Sequence, residues 1–294
     1  MDKYQISFQA HDNLYIVLNN EGKKLAMKKL KRGNTFADLQ EVKNDLEVRH
    51  LDKLKNEHVI QVLDVIYNST DRTGFIILPY YSMNLFEFLE NGKKLQEFQR
   101  RHIIKQLFQV LSFIHSQNIF HRDLHPENIM ITDEWEYSSD KKLFDIKLID
   151  FGSSKIRQDN LFTDYVGVRW YRAPELLLGC QKYDEKVDIF AVGCIIYEMY
   201  HKKPLFPGAS ELAQLNELLV ILGSPTQEIW PKGVEQAQKK GMDLGKHKKS
   251  NLKVIFCDMP QDMIELCELC LAWNPEQRIS AAQALNHNSL INTI

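Results

Sequence analysis

The sequence predicts an α+β chain built as two lobes, a small β-rich lobe with one main helix followed by a larger, mainly helical one. Three observations predict this. Short strand-like runs crowd the chain ahead of Pro79, and helical periodicity dominates from Leu85 onward. The 294 residues are also too many for one small core and too few for three domains. Taken in order, Tyr4 to Phe8 alternates loosely and Leu14 to Leu18 is a β-rich run. Lys24 to Lys28 follows Asn19-Asn20-Glu21-Gly22, good hairpin chemistry. Leu39, Val42, Leu46 and Leu54, spaced by three, four and eight residues, lie close to one helical face. Val59 to Tyr67 and Gly74 to Leu78 read as further strands, and Arg101 to His115 and Val187 to Tyr200 as long helices. The boundary falls near Pro79-Tyr80-Tyr81-Ser82. One domain therefore covers residues 1–294, with 1–81 as the first lobe and its hinge and 82–294 as the second. A cleft between such lobes is a common place for a ligand.

Composition narrows the function class. Apolar residues at 44% and charged residues at 26% exclude a disordered or collagen-like chain. The net charge of −2 carries no global field toward nucleic acid or an anionic membrane, so neither is expected as a partner. The longest stretch free of charged and strongly polar residues, Ile189 to Tyr197, is far too short to span a bilayer. Met1-Asp2-Lys3-Tyr4-Gln5 lacks the basic-then-apolar pattern of a secretory signal. Five cysteines fit a reducing compartment, and a cytoplasmic or nuclear location is expected. Cys267 and Cys270 form a lone CxxC with no second pair at zinc spacing, and read as core thiols on a helix. Thr132 to Phe144 reads as an inserted, solvated loop made acidic in part by Glu134, Glu136 and Asp140. The basic residues Lys239, Lys240, Lys246, His247, Lys248 and Lys249 read as a solvated face.

The strongest signal is His121-Arg122-Asp123-Leu124-His125-Pro126-Glu127-Asn128. Twenty-two residues past Asn128 comes Asp150-Phe151-Gly152, and then Ala173-Pro174-Glu175. In this order, with a lysine on the third strand, the chain resembles the eukaryotic protein kinases over almost its whole length. The finer resemblance is to the CMGC group, near its MAK-type (male germ cell-associated kinase-like) and cyclin-dependent/MAP kinase branches. It rests on Trp170-Tyr171-Arg172-Ala173-Pro174-Glu175, Lys203-Pro204-Leu205-Phe206-Pro207-Gly208 and Leu222-Gly223-Ser224-Pro225, with Thr163-Asp164-Tyr165 resembling the MAK-type activation triplet. The resemblance implies a bilobal protein kinase fold and a monomer that phosphorylates protein Ser/Thr, with ATP and Mg²⁺. Phosphoryl transfer needs a held triphosphate, cations that neutralise developing charge and an aligned hydroxyl. Asp123 is then the catalytic base, and Asn128 and Asp150 offer hard oxygens suited to Mg²⁺. Lys28 should reach the α- and β-phosphates and pair with Glu47, with Glu41 on the same segment as its competitor.

The resemblance also places the nucleotide pocket. Leu78 would be the gatekeeper, Pro79 would offer adenine its carbonyl, and Tyr81 its N–H. Ile6, Leu14, Ala26 and Met130 would sandwich the purine, ordinary core packing being the other reading of each. Arg278 would pair with Glu175, and Asp188 would anchor the catalytic loop. Thr163 and Tyr165, 13 and 15 residues past Asp150, match a dual phosphorylation site for an upstream activating kinase. Arg122 would receive phospho-Thr163 and Arg169 phospho-Tyr165. Gly167, with Arg172 on its carbonyl, implies a preference for Ser/Thr-Pro sites.

Several positions depart from the pattern. Ser7, Gln9 and Asp12 stand where three glycines belong, and a carboxylate about 5 Å from a phosphate costs on the order of 3 kcal/mol. His125 replaces the lysine that contacts the γ-phosphate, and Val168 the threonine that bonds it. Two functions follow. One is an active Ser/Thr kinase, favoured by the retained Lys28, Asp123, Asn128 and Asp150. The other is a pseudokinase acting as scaffold or allosteric partner.

Overall fold

Two hairpins begin the first sheet. Strands β1 (Tyr4–His11) and β2 (Leu14–Asn19) pair antiparallel around Asp12-Asn13, with bulges between Ile6 and Phe8 and between Gln9 and His11. β2 turns into β3 (Lys24–Lys29) where the Asn19 side chain accepts the N–H groups of Glu21 and Lys23 and Gly22 takes a φ of 77°. This computed structural model describes residues 3–30, 35–92, 94–132, 137–138, 141–157 and 167–291.

The expected single helix is two. α1 (Leu39–Lys43) ends at Asn44, and α2 (Leu46–Lys53) restarts behind Asp45, whose carboxylate accepts the N–H of Glu47. An Asp that bonds backbone two residues on competes with the helix ladder and caps a new one. Leu39 and Leu46 are therefore both exposed, while Val42, Leu51 and Leu54 are buried. The predicted strand from Val59 shortens to β4 (Asp64–Asn68), which pairs with β5 (Thr73–Pro79). Val59 instead forms a lone parallel bridge with Leu148. The sheet order is β1-β2-β3-β5-β4.

Past the hinge, β6 (Met83–Asn84) leads into α3 (Leu85–Glu90), and α4 (Glu97–Ser116) carries eight buried side chains. β7 (Ile119–Phe120) and β8 (Ile129–Ile131) flank the His121–Asn128 stretch. Of the insertion, β9 (Tyr137–Ser138) and β10 (Lys141–Lys142) pair, while Glu134, Glu136 and Asp140 lie outside the described residues. β11 (Ile146–Leu148) pairs with β8, and β12 (Lys155–Ile156) pairs with β7. α5 (Pro174–Leu177), α6 (Lys186–His201) and α7 (Glu211–Leu222) follow. Every residue of α6 from Val187 to Met199 is buried, as expected of a helix apolar all round. Cys267 and Cys270 are fully buried on the helix Gln261–Cys270. In the basic stretch, Lys239 pairs with Glu235 and Lys249 with Glu268.

One hydrophobic core runs from α2 and β5 of the first lobe into α4 and α6 of the second. A smaller cluster, Val17, Leu25, Met27, Phe75 and Ile77, covers the other face of the five-stranded sheet.

Candidate active site

Strand alternation puts Lys28 and Ala26 on one face of β3. From there the Lys28 ammonium reaches Glu47 Oε1 at 2.6 Å and Asp150 Oδ1 at 2.7 Å. Burial alone would push the ammonium down; the two carboxylates outweigh it and raise its pKa. Burial likewise works to raise Asp150, and Lys28 overrides it and holds that carboxyl below its usual range. The more deeply buried Glu47 stays above its usual value. Glu41 bonds the Ala37 N–H instead, so it does not compete for Lys28. Asp150 adopts a left-handed φ of 61° and accepts the Gly152 N–H. A Cβ at Gly152 would stand 3.2 Å from Asp150 Oδ1 and 3.3 Å from Glu47 Oε2, so glycine lets the segment close on both carboxylates.

The loop between β7 and β8 hangs from Asp188 on α6. That carboxylate is buried and accepts the N–H groups of His121 and Arg122, each at 2.8 Å, and His115 Nε2 at 2.9 Å. His121 donates from Nε2 to the Ile149 carbonyl and packs edge-on against Phe151, with ring centroids 5.0 Å apart. Asp123 Oδ1 accepts the backbone N–H of Val168 at 2.9 Å. The main chain at Val168 thus orients Asp123, a contact that side-chain reasoning missed because it considered only the lost threonine hydroxyl.

Asn128 donates from Nδ2 to the Asp123 carbonyl and to His125 Nε2, each at 2.9 Å. Both amide hydrogens are committed, which fixes the opposite oxygen as the atom offered to a cation. His125 is buried, stacks on Tyr171 and lies 3.7 Å from Asp123 Oδ1. Burial, against the pull of Asp123 and Glu127, pushes its pKa down, so the imidazole is neutral at pH 7. Among the described residues no three His, Cys, Asp or Glu side chains could hold a metal. The oxygens of Asn128 and Asp150 suit a hard divalent ion, whose remaining ligands would have to come from outside the protein side chains.

The register sets Leu14 opposite Lys28 and Leu78 opposite Ala26, so all four share the face that looks into the cleft. Pro79 ends β5, and Tyr81 packs half-buried against the core. Met130 sits between the buried Ile129 and Ile131 and so faces the other way from them. Ile6 is the exception. It lies 51% exposed opposite Val17, a residue of the outer cluster, so the pairing does not align it with Leu14 and Ala26. The bulge beside Ile6 shifts the register there. Ser7 falls in the first bulge of β1, between Ile6 and Phe8, and Gln9 pairs opposite Tyr15 just ahead of the second. Gln9 Nε2 bonds the carbonyls of His11 and Asp12 at 3.2 and 3.4 Å, and Asp12 is exposed at the hairpin tip.

Gly167 has a φ of 79°, and a Cβ there would come within 2.6 Å of the Arg122 carbonyl. Arg172 Nε donates to the Gly167 carbonyl at 2.8 Å, and its Nη1 pairs with Glu211 at 3.0 Å. Thr163 and Tyr165 lie outside the described residues. Arg122 is buried, its guanidinium 5.7 Å above the Tyr183 ring, and desolvation pushes its pKa down. Arg169 is turned toward the loop ahead of α7, where Nη1 bonds the Ala209 carbonyl at 2.8 Å. Arg278 forks onto Glu175 at 2.6 and 2.7 Å in full burial. Sequence reasoning also missed His50 and Ser154, buried side chains 2.7 Å apart. No motif spacing joins residues so distant in the chain.

Comparison with known proteins matches the protein kinase domain family to residues 13–290. A probable serine/threonine-protein kinase of Dictyostelium discoideum is 36% identical over 98% of this chain and 56% of its own length. The serine/threonine-protein kinase MAK of Homo sapiens is 35% identical over 98% of this chain and 45% of its own. Cyclin-dependent kinase 20 of Danio rerio is 34% identical over 90% of this chain and 74% of its own. The chain thus spans about half the length of the first two relatives. Among solved structures, the crystal structure of the yeast RNA Pol II CTD kinase CTDK-1 complex superposes with a TM-score of 0.85 at 26% identity, covering 98% of this chain and 92% of that one.

Proposed function

The chain belongs to the protein kinase family, with relatives among the MAK-type and cyclin-dependent kinases, and from that membership we propose that it transfers the γ-phosphate of ATP to serine and threonine hydroxyls of proteins. The observation that carries this reading is Lys28, held between Glu47 and Asp150 at 2.6 and 2.7 Å. An ammonium locked at that point gives the α- and β-phosphates a fixed cation. Asp123, oriented by the Val168 N–H, takes the proton of the substrate hydroxyl as its oxygen attacks the γ-phosphorus. ADP leaves with the bonding electron pair. Mg²⁺, held by Asn128 and Asp150, would supply the charge neutralisation of the transferred phosphoryl group. The neutral His125 adds no cation at that phosphate. Slower turnover than in a relative with lysine there is expected.

The Arg172 bond to the Gly167 carbonyl supports selection of Ser/Thr-Pro sites. That carbonyl is unavailable to the N–H of the residue after the phosphoacceptor, and proline has none to satisfy. The buried Arg122 supports phosphorylation at Thr163 as an activating event, since a phosphate would offset the burial of its charge.

A second reading, a nucleotide-binding scaffold without transfer, is favoured by the glycine-free β1–β2 hairpin and by His125. One experiment separates the two. Purified protein is given Mg²⁺, radiolabelled ATP and a basic protein substrate, with Asp123→Asn as control. Incorporation above the control supports the kinase; equal incorporation supports the scaffold.

A further inference from the structure

Among the described residues two polar links tie helix α2 to the Asp-Phe-Gly segment and the residues just after it, and the first of them passes through Lys28. One turn beyond Glu47, His50 Nδ1 lies 2.7 Å from Ser154 Oγ, and Ser154 Oγ donates to the Phe151 carbonyl at 2.5 Å. Together the two contacts close a ring: Glu47, Lys28, Asp150, the chain to Phe151, Ser154, His50, and back along one helical turn. We propose that His50 and Ser154 are a positioning pair, whose hydrogen bond seats α2 on the Asp150 segment and so keeps Glu47 on Lys28. The kinetic part of this proposal rests on the kinase reading above; the structural part does not.

The chemistry of the pair is fully determined. A serine hydroxyl has one proton, and the Phe151 carbonyl takes it. The His50–Ser154 bond must therefore be donated by Nδ1–H, which leaves Nε2 without a proton. Nε2 is buried and has no hydrogen-bond partner among the described residues, and the ring is 1% exposed. A second proton would sit there as a buried charge with no acceptor. The charged groups that face the ring are cations as well, Arg49 and Lys53 on α2 and Lys155 on β12. Burial, reinforced by these cations, pushes the imidazole down to about 4. If α2 lifts and the ring meets water, it returns to the ordinary value of about 6.5. Above that value the ring is neutral in both states, and its hydrogen bond to Ser154 seats the helix independently of pH. Between the two values a proton favours the lifted helix, by about tenfold at pH 5.5.

The test uses the whole chain with isotope-labelled histidine, the His50 signal being identified by its loss in His50→Leu. NMR should show the Nδ1–H tautomer and no protonation above pH 5. Ser154→Ala should raise the midpoint by more than one pH unit as the ring becomes solvated. In the transfer assay, Ser154→Ala should lower kcat about tenfold at pH 7 with KM for the protein substrate unchanged. His50→Asn keeps a donor nitrogen at the Nδ1 position and cannot titrate. It should retain kcat at pH 7 and lack the drop that the parent shows between pH 6.5 and 5.5. An Nε2–H tautomer, an ordinary midpoint in the parent, or a Ser154→Ala variant with parental midpoint and kcat would each overturn the proposal. A parent that transfers no phosphate fails the kinase reading, and the NMR titration then decides the pair by itself.

Discussion

Lys28 is one ammonium between two carboxylates, and that imbalance sets what the three residues tolerate. In Lys28→Met, Glu47 and Asp150 would face each other with no cation between them. Breaking a buried pair from one side typically costs about 3–5 kcal/mol. Urea unfolding should show a loss at the lower end of that range, because Asp150 is partly open to solvent. Adding Glu47→Gln should restore part of it, since a neutral amide needs no counter-ion. Transfer should fall by about 10²-fold or more in both variants. The acid limb of stability has a definite sign. Asp150 is held below its usual value, so its contribution is present above about 3.8 and lost as pH falls through the lower folded value. Lys28→Met should flatten that limb. His125 and Val168 test whether two departures from the family form one unit. A lysine at 125 has no acceptor for the Asn128 amide, so His125→Lys alone should lower kcat. Val168→Thr added to it should recover more than additivity allows, with a coupling of about 1 kcal/mol in a four-enzyme kinetic cycle. Lys28, Asp123, Asn128 and Asp150 were legible in the sequence because each sits in a short motif whose order is diagnostic. His50 and Ser154 were not, since a buried hydrogen bond between distant residues leaves no local pattern.

At the scale of elements, hydrophobic spacing found the helices but not where they break. Leu39, Val42, Leu46 and Leu54 suggested one face, yet Asp45 divides it. The divided arrangement gives α2 its own N-cap directly ahead of Glu47, so the position of that carboxylate depends on a local turn. Asp45→Ala should cost about 1 kcal/mol of stability. It should also reduce transfer more than ATP affinity, because Glu47 acts by orienting Lys28. Denaturant titration, the transfer assay and nucleotide calorimetry together check this, and unchanged stability and transfer would mean that the cap contributes nothing. The strand predicted from Val59 failed for another reason. A run of apolar residues can be buried without a ladder: Val59 and Ile60 are buried, and one isolated bridge, in which Ile60 N–H donates to the Leu148 carbonyl and Leu148 N–H to the His58 carbonyl, replaces strand pairing. The β1–β2 hairpin was predictable from Asp12-Asn13. The bulge that leaves Ile6 out of line with Leu14 was not, because register depends on cross-strand fit.

The whole molecule is held by a core that does not stop at the hinge. Val48, Leu51 and Ile76 of the first lobe belong to the same cluster as Phe108, Phe120 and Phe151 of the second. A single unfolding transition is therefore expected, with Trp230 and Trp273 fluorescence and hydrogen exchange of β3 giving one midpoint. Deep in the second lobe, Arg278 joins α5 to α6 and to the chain before Ala281. It forks onto Glu175 and donates to the carbonyls of Ala272, Lys186 and Trp273, with its guanidinium 5.1 Å over Phe190. Removing it strands a buried carboxylate and three carbonyls. Arg278→Met should therefore lower stability by about 3–5 kcal/mol, one of the larger single losses available to this chain. Glu175→Leu combined with Arg278→Met removes the stranded charge and should recover part of that loss, though not the carbonyl bonds. Because the core is continuous, the loss should move the midpoint reported by β3 as far as that reported by the tryptophans. A shift confined to the tryptophan signal would show that the lobes unfold separately, and that the hinge at Pro79 divides the core after all.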